Sequence, residues 1–201
     1  MRTAQDLLSE LNASDESPRI EAKRAREMGK SIMETVIAFA NEPGLGGGHL
    51  LLGVNWAVND KGDTRYWAEG VPTPDKVQQD LASQCASMLS TVLRPEMSVE
   101  RVNGKTLIVV FVPEADPSQK PVYLQATGLP KGAFRRVGST DQRCVDEDLW
   151  VLRGRQSTSV WARHGVPDRR ADERPGPERH CRIPAPARAG QPAGGGIVVR
   201  Q

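Results

Sequence analysis

The sequence has only three cysteines, at positions 85, 144 and 181, and no C-x-x-C pair. So small, odd and widely spaced a set supports neither a disulfide framework nor a zinc finger, and it points to a reducing, cytoplasmic setting. No apolar stretch approaches the roughly 18 residues of a membrane helix. The first residues, MRTAQDLLSELNASDES, lack an apolar signal core, so neither secretion nor membrane insertion is expected. A strong charge excess is missing too. The 27 Lys and Arg against 25 Asp and Glu leave +2, which excludes both a basic nucleic-acid coat and an acidic solvating tail.

The charge that is present lies unevenly. Residues 151–201 hold ten Arg, no Lys and four acids, so they carry +6 and residues 1–150 carry the remaining −4. The 201 residues, 38% of them hydrophobic, suffice for one sizeable core and need not form more than one domain.

Periodicity places that core in residues 1–153. Leu7, Leu8 and Leu11 predict a short amphipathic helix over 4–12, which ends in the turn residues between Asn12 and Pro18. Arg19 to Lys23 reads as a short extended piece. Met33, Val36, Ile37 and Ala40 recur at helical spacing and predict a one-sided helix over Lys30 to Asn41. A glycine-rich loop, Asn41-Glu-Pro-Gly-Leu-Gly-Gly-Gly48, breaks it. The apolar run His49 to Val54 and the segment Thr64 to Glu69 read as two strands of a hairpin across the turn Asn59-Asp-Lys-Gly62. Thr73-Pro74 supplies an N-cap and a first-turn proline for a helix with Val77, Leu81, Cys85 and Met88 on one face.

Met97 to Val102 and Lys105 to Val112 flank Asn103-Gly104, a strong hairpin signal because both residues accept positive φ. Leu107-Ile-Val-Val-Phe-Val112 predicts a central strand covered on both faces. Strands at Pro121 to Gln125 and Ala133 to Val137, then a closing helix over Val145 to Arg153, complete a single-domain α+β fold with a mixed sheet and packed helices.

Residues 154–201 show neither period and are dominated from Pro167 to Gly196 by Arg, Pro, Gly and Ala. Such a segment buries too little apolar surface to offset chain entropy, so a disordered tail is expected. It reads either as a flexible basic arm or as a frameshifted or truncated continuation, since Arg without Lys alongside Pro, Gly and Ala is what GC-rich codons give out of frame.

Two motifs fail on context. Gly44-Leu-Gly-Gly-Gly48 follows a helix and opens a strand, the reverse of a dinucleotide-binding fingerprint. Gly104-Lys105-Thr106 ends like a Walker A loop, but the position of its first glycine is Val99. Two others remain as candidate sites. On an extended segment Glu21 and Lys23 share a face, and such a pair suits a nuclease, the carboxylate holding a divalent ion and the lysine facing a phosphate. Glu16 lies close enough in sequence for two carboxylates to share that ion, Mg²⁺ or Mn²⁺. The bland alternative is an exposed ion pair at a strand edge. In Phe134-Arg135-Arg136-Val-Gly138-Ser139-Thr140, a guanidinium and a turn with two hydroxyls can meet a phosphate, although adjacent strand residues face opposite sides. The alternative is a solvated strand end.

Seven segments occur in an order that resembles the Schlafen AlbA-like domain family over about residues 15–150. They are Glu16-Ser17 with Glu21-x-Lys23, Val36-Ile-Ala-Phe-Ala-Asn41, the glycine-rich loop, Leu50-Leu-Leu-Gly-Val54, Asn103 through Pro113, Lys120-Pro-Val122, and Arg136-Val-Gly-Ser139. The resemblance implies an α+β fold and nucleic-acid binding, DNA or RNA, in a bacterial regulator or defence protein. In Schlafen proteins it also implies a metal-dependent RNA endonuclease centre of two glutamates and an aspartate. Glu16 and Glu21 match the glutamates, whereas the aspartate position reads Asn55-Trp56, with Asp60 and Asp63 as the nearby substitutes. Relatives also labelled ATP-binding make a regulatory nucleotide module the third reading. The −4 charge of residues 1–150 weighs against strong phosphate binding, which draws mainly on Lys and Arg.

Overall fold

The computed structural model describes residues 2–24 and 29–153, apart from the side chain of Lys30. The expected tail, residues 154–201, lies outside the described residues.

A four-stranded sheet organises the domain. Its strands are β1 (Ile20–Lys23), β2 (Gly47–Leu52), β5 (Glu96–Val102) and β6 (Lys105–Pro113), in the spatial order β1-β2-β6-β5. β1 runs parallel to β2, and the other pairs are antiparallel. Side chains alternate across a strand, so each apolar run serves two layers at once. Leu50, Leu52, Ile108, Val110 and Val112 pack with Met33, Val36, Ile37 and Phe39 of α2 (Lys30–Asn41) and with Leu81 and Cys85 of α3 (Pro74–Ser87). Leu51, Leu107 and Val109 face the other way, where they join Leu7, Leu8 and Leu11 of α1 (Ala4–Ser14). With both faces covered, the runs are continuously apolar, as the sequence of β6 predicts.

The loop chemistry explains most of the boundaries. Thr3 caps α1, its hydroxyl accepting the Asp6 amide at 3.2 Å. Asn103 and Gly104 take φ of 51° and 75°, and β5 and β6 pair across them as expected.

Three expectations change. The apolar run does not pair with Thr64 to Glu69. Gly53, at φ 90°, turns the chain out of β2, and it is β3 (Val54–Val58) that pairs with β4 (Thr64–Ala68). A Cβ at Gly53 would stand 2.8 Å from Val71 Cγ2, so a residue that reads as part of the strand is its break. Thr73 and Pro74 open α3 as expected, but the Thr73 side chain makes no capping hydrogen bond, and Met88 is exposed beyond the end of the helix. Pro121 to Gln125 forms only isolated bridges, Tyr123 to Ala133 and Leu124 to Leu89. Its position is fixed by Asn41, whose buried amide accepts from Val122 N at 2.7 Å and donates to the carbonyls of Val122 and Phe134 at 2.8 and 3.0 Å.

The last strands, β7 (Phe134–Val137) and β8 (Thr140–Arg143), form a hairpin with Gly138 at φ 60° in its two-residue loop. A helix follows over 146–153, with Leu149 and Leu152 buried and Trp150 exposed. Among the described residues, no helix is long and apolar enough to cross a membrane.

Candidate functional site

β1 presents Ile20 and Ala22 to the α1 layer, which leaves Glu21 and Lys23 together on the α2 side. Lys23 Nζ lies 2.6 Å from Glu21 Oε1, so the shared face expected of alternate residues is realised as a close ion pair. The second oxygen of Glu21 meets a different partner. Arg136 reaches across from β7 and places Nη2 2.6 Å from Glu21 Oε2 and 3.0 Å from the Ser17 carbonyl, with Nη1 2.8 Å from Asp141 Oδ1. The Arg136 side chain is completely buried, and its guanidinium sits 5.0 Å from the centre of the Phe39 ring. Asp141 also accepts the Thr35 hydroxyl at 2.5 Å. Arg136 thus ties β1, β7 and β8 together. Its Nε has no hydrogen-bond acceptor among the described residues, and the Glu21 Oε2 contact is an ion pair without hydrogen-bond alignment.

Glu16 stands at the rim of this network. Its Oε1 accepts the Ala22 amide at 3.0 Å. Burial, and then the charge of Glu21, push its pKa up to about 7, against the smaller opposing pull of the Ala22 amide, Lys23 and Arg136. The preceding residue sets its direction. Asp15 ends α1 at φ 63°, ψ −169°, a conformation proper to glycine. Its carboxylate accepts the Tyr66 hydroxyl and, at 3.0 Å, the Thr64 hydroxyl. The Tyr66 hydrogen bond is the largest influence on Asp15 and holds its pKa below the ordinary value.

The acids are therefore interleaved with cations. A metal shared by Glu16 and Glu21 requires free carboxylate oxygens, but both oxygens of Glu21 already face Lys23 or Arg136. Among the described residues, no group of three His, Cys, Asp or Glu side chains is placed to hold an ion. These residues do not fit the divalent metal that the sequence suggests. The substitute aspartates do not complete it either. Asp63 accepts from Asn59 Nδ2 at 3.1 Å within its own turn, and Asp60 is exposed at the tip. Asn55 binds Arg24 Nε through Oδ1 at 2.7 Å.

The candidate phosphate-binding arginines are also engaged. Arg135, on the opposite face of β7 from Arg136, grips Glu42 through Nε at 3.1 Å and Nη2 at 2.9 Å, and Asp148 through Nη1 at 2.9 Å. These contacts, led by the Glu42 hydrogen bonds, favour its protonated form. Arg135 and Arg136 therefore anchor the hairpin by its two faces, while Gly138, Ser139 and Thr140 stand exposed at its tip and Arg143 is exposed on β8.

The glycine-rich loop is an anion nest that the protein fills itself. The amides of Gly44 and Gly46 donate to the two oxygens of Glu114 at 3.0 and 2.8 Å, and the buried Lys120 lies 2.6 Å from Glu114 Oε1. Burial raises the Glu114 pKa, but the hydrogen bonds from Lys120 and the two glycine amides outweigh it and hold the group below its ordinary value. Gly47 and Gly48 are required by packing, since a Cβ would stand 2.2 Å from Val112 O in one case and 2.4 Å from the Phe39 ring in the other. An apolar groove of about 550 Å³ between α2, α3 and residues 124–127 shares none of these side chains.

Sequence reasoning missed Asp141, Thr35, Asp15 and Tyr66. The register held a signal for the first: a two-residue loop at Gly138-Ser139 pairs Val137 with Thr140 and hence Arg136 with Asp141.

With this geometry in place, the comparisons with known proteins decide the family. The Schlafen, AlbA_2 family profile matches residues 16–145, which span β1 to β8 and include Glu16, Glu21, Lys23, Arg136 and Asp141. The chain belongs to the Schlafen AlbA_2 family. This AlbA_2 domain is also similar to the N-terminal domain of a RecG-related protein from Nitrosomonas europaea, whose structure was determined by solution NMR. The two are 74% identical over 72% of this chain and 95% of that one, with a TM-score of 0.62. A weaker likeness joins it to the crystal structure of the DIP2311 protein from Corynebacterium diphtheriae, at 18% identity, 74% of this chain, 27% of that one and a TM-score of 0.47. No curated protein matches the sequence.

Proposed function

We propose that this AlbA_2 domain binds nucleic acid, DNA or RNA, and serves a bacterial regulator or defence protein of the cytoplasm. The observation that carries the reading is its 74% identity to the N-terminal domain of a protein named for its relation to the ATP-dependent DNA helicase RecG. The buried free thiols of Cys85 and Cys144 suit a reducing compartment. The contact surface in this reading is the tip of the β7–β8 hairpin. Gly138, Ser139 and Thr140 offer amides and hydroxyls to one phosphate, and Arg143, three residues further along β8 where it pairs with Phe134, offers a guanidinium to a neighbouring one. Arg135 and Arg136 hold that tip in place, since their donors are committed to Glu42, Asp148, Glu21 and Asp141.

With a charge of −4 on residues 1–150, binding rests on local contacts and is salt-sensitive. Arg143→Ala should weaken binding to all sequences alike and reduce the slope of log affinity against log salt by about one. Ser139→Ala with Thr140→Val should weaken it further. Unchanged affinity and slope in both variants would remove the hairpin tip as the contact. Failure of the full chain to bind any nucleic acid at low salt would remove the function.

A further inference from the structure

Tyr66 points into the core beside Trp56, so its neighbours Arg65 and Trp67 project together from the outer face of β4. Trp67 is 41% exposed, so part of its indole ring is open to solvent. Arg65 is exposed as well, and makes no ion pair or hydrogen bond among the described residues. The two border a groove of about 460 Å³ whose other walls are mostly polar, with Gln5, Ser9 and Asn12 of α1 and Asn103 of the β5–β6 turn beside the apolar Leu8. The nearby acids are already engaged: Glu69 accepts from Asn55, the cross-strand neighbour of Trp67, and Asp63 accepts from Asn59.

An open indole with a free guanidinium two residues away is the pairing that holds one unstacked nucleotide. The ring takes the flat face of the base. The guanidinium, about 7 Å further along the strand, takes its phosphate. A duplex offers no free base face, so the chemistry selects single strands. We propose that the outer face of β4, through Trp67 and Arg65, is a second contact surface of this domain and takes an unpaired nucleotide of single-stranded DNA or RNA. The inference rests on the nucleic-acid reading above but uses a surface separate from the hairpin tip.

The test measures binding of the full chain to labelled oligothymidylate, oligouridylate and a duplex DNA of the same length. Trp67→Ala should weaken binding to both single strands about tenfold and leave the duplex unchanged, and Trp67→Phe should restore most of the loss. Arg65→Ala should weaken single-strand binding and lower its salt slope by about one. Melting temperatures check that these exposed positions leave the fold intact. If Trp67→Ala and Arg65→Ala bind single strands like the native chain while Arg143→Ala does not, the β4 surface is refuted and the nucleic-acid reading stands, as it would if β4 instead docks another protein. If the native chain binds none of the three, the nucleic-acid reading falls and this inference with it.

Discussion

Replacing Glu16 by Gln should stabilise this domain, by an amount that grows as pH rises from about 4.5 and is complete above about 7. The carboxyl has an ordinary pKa of 4.5 and one of about 7 in the fold, because burial and the Glu21 charge both oppose its ionisation. Between these values the folded chain holds a proton that the unfolded chain has lost. Its contribution is therefore neutral below 4.5, declines as pH rises through the window, and reaches its full cost above 7. At 1.36 kcal/mol per tenfold change in proton affinity the ceiling is about 3 kcal/mol, and because Glu16 is only half-buried, solvent screening reduces the expected cost to about 1–2 kcal/mol. Glutamine keeps an oxygen for the Ala22 amide but carries no charge. Urea unfolding of native and variant chains at about pH 5 and about pH 8.5 isolates the effect, since all other titrations are common to both. The variant should be more stable at the higher pH by that margin and nearly equal at the lower. A variant less stable than the native chain at pH 8.5 would refute the reasoning, because it would mean that Lys23 and Arg136 favour the charge more than burial and Glu21 oppose it.

Two further outcomes follow from the network. Arg136→Met should cost about 3–5 kcal/mol in urea unfolding, because it leaves the Glu21 and Asp141 carboxylates without their shared guanidinium; adding Glu21→Gln and Asp141→Asn should recover much of that, and a loss below about 1 kcal/mol in the single variant would show that the triad does not hold the hairpin. Manganese titrated into the full chain and followed by calorimetry should give no stoichiometric binding, since Lys23 and Arg136 already occupy both oxygens of Glu21; stoichiometric binding abolished by Glu21→Gln would restore the metal-dependent nuclease reading.

What the sequence revealed and what it hid follow the range of the interactions. The apolar periodicity of α2, the two-sided run of β6 and the Asn103-Gly104 turn are local signals, and each is realised where the sequence places it. Gly53 is the instructive failure among local signals. Its neighbours on both sides are apolar, so only the positive φ and the contact with Val71, 18 positions away, mark it as a break. The candidate site depends on range still more. Glu21 and Lys23 are legible as a pair because they are two apart on one strand. Arg136 is legible as a charged strand residue, but nothing near it in sequence says that it is fully buried against Glu21.

That distance decides the chemistry of the site. Read alone, Glu16, Glu21 and Lys23 look like two acids awaiting a cation, and a divalent ion is the obvious one. The fold supplies an internal cation instead, by bringing Arg136 from β7 to Glu21 and fixing it with Asp141 and the Ser17 carbonyl. The same substitution occurs at the glycine-rich loop, where Glu114 fills the nest that a phosphate would otherwise occupy, and at Arg135, where Glu42 and Asp148 take the place of a phosphate. In all three places a group that could hold a ligand is closed by a counter-charge from elsewhere in the chain, although only the Glu21 and Arg135 segments read in sequence as candidate sites. Removing a buried counter-charge is strongly destabilising, so these closures hold the β1–β2 and β7–β8 regions in shape. Ligand recognition is left to side chains that the fold leaves exposed and without an ion pair among the described residues, and Arg143 on β8, whose guanidinium lies 5.8 Å from the centre of the Phe134 ring, and Arg65 with Trp67 on β4 meet that condition.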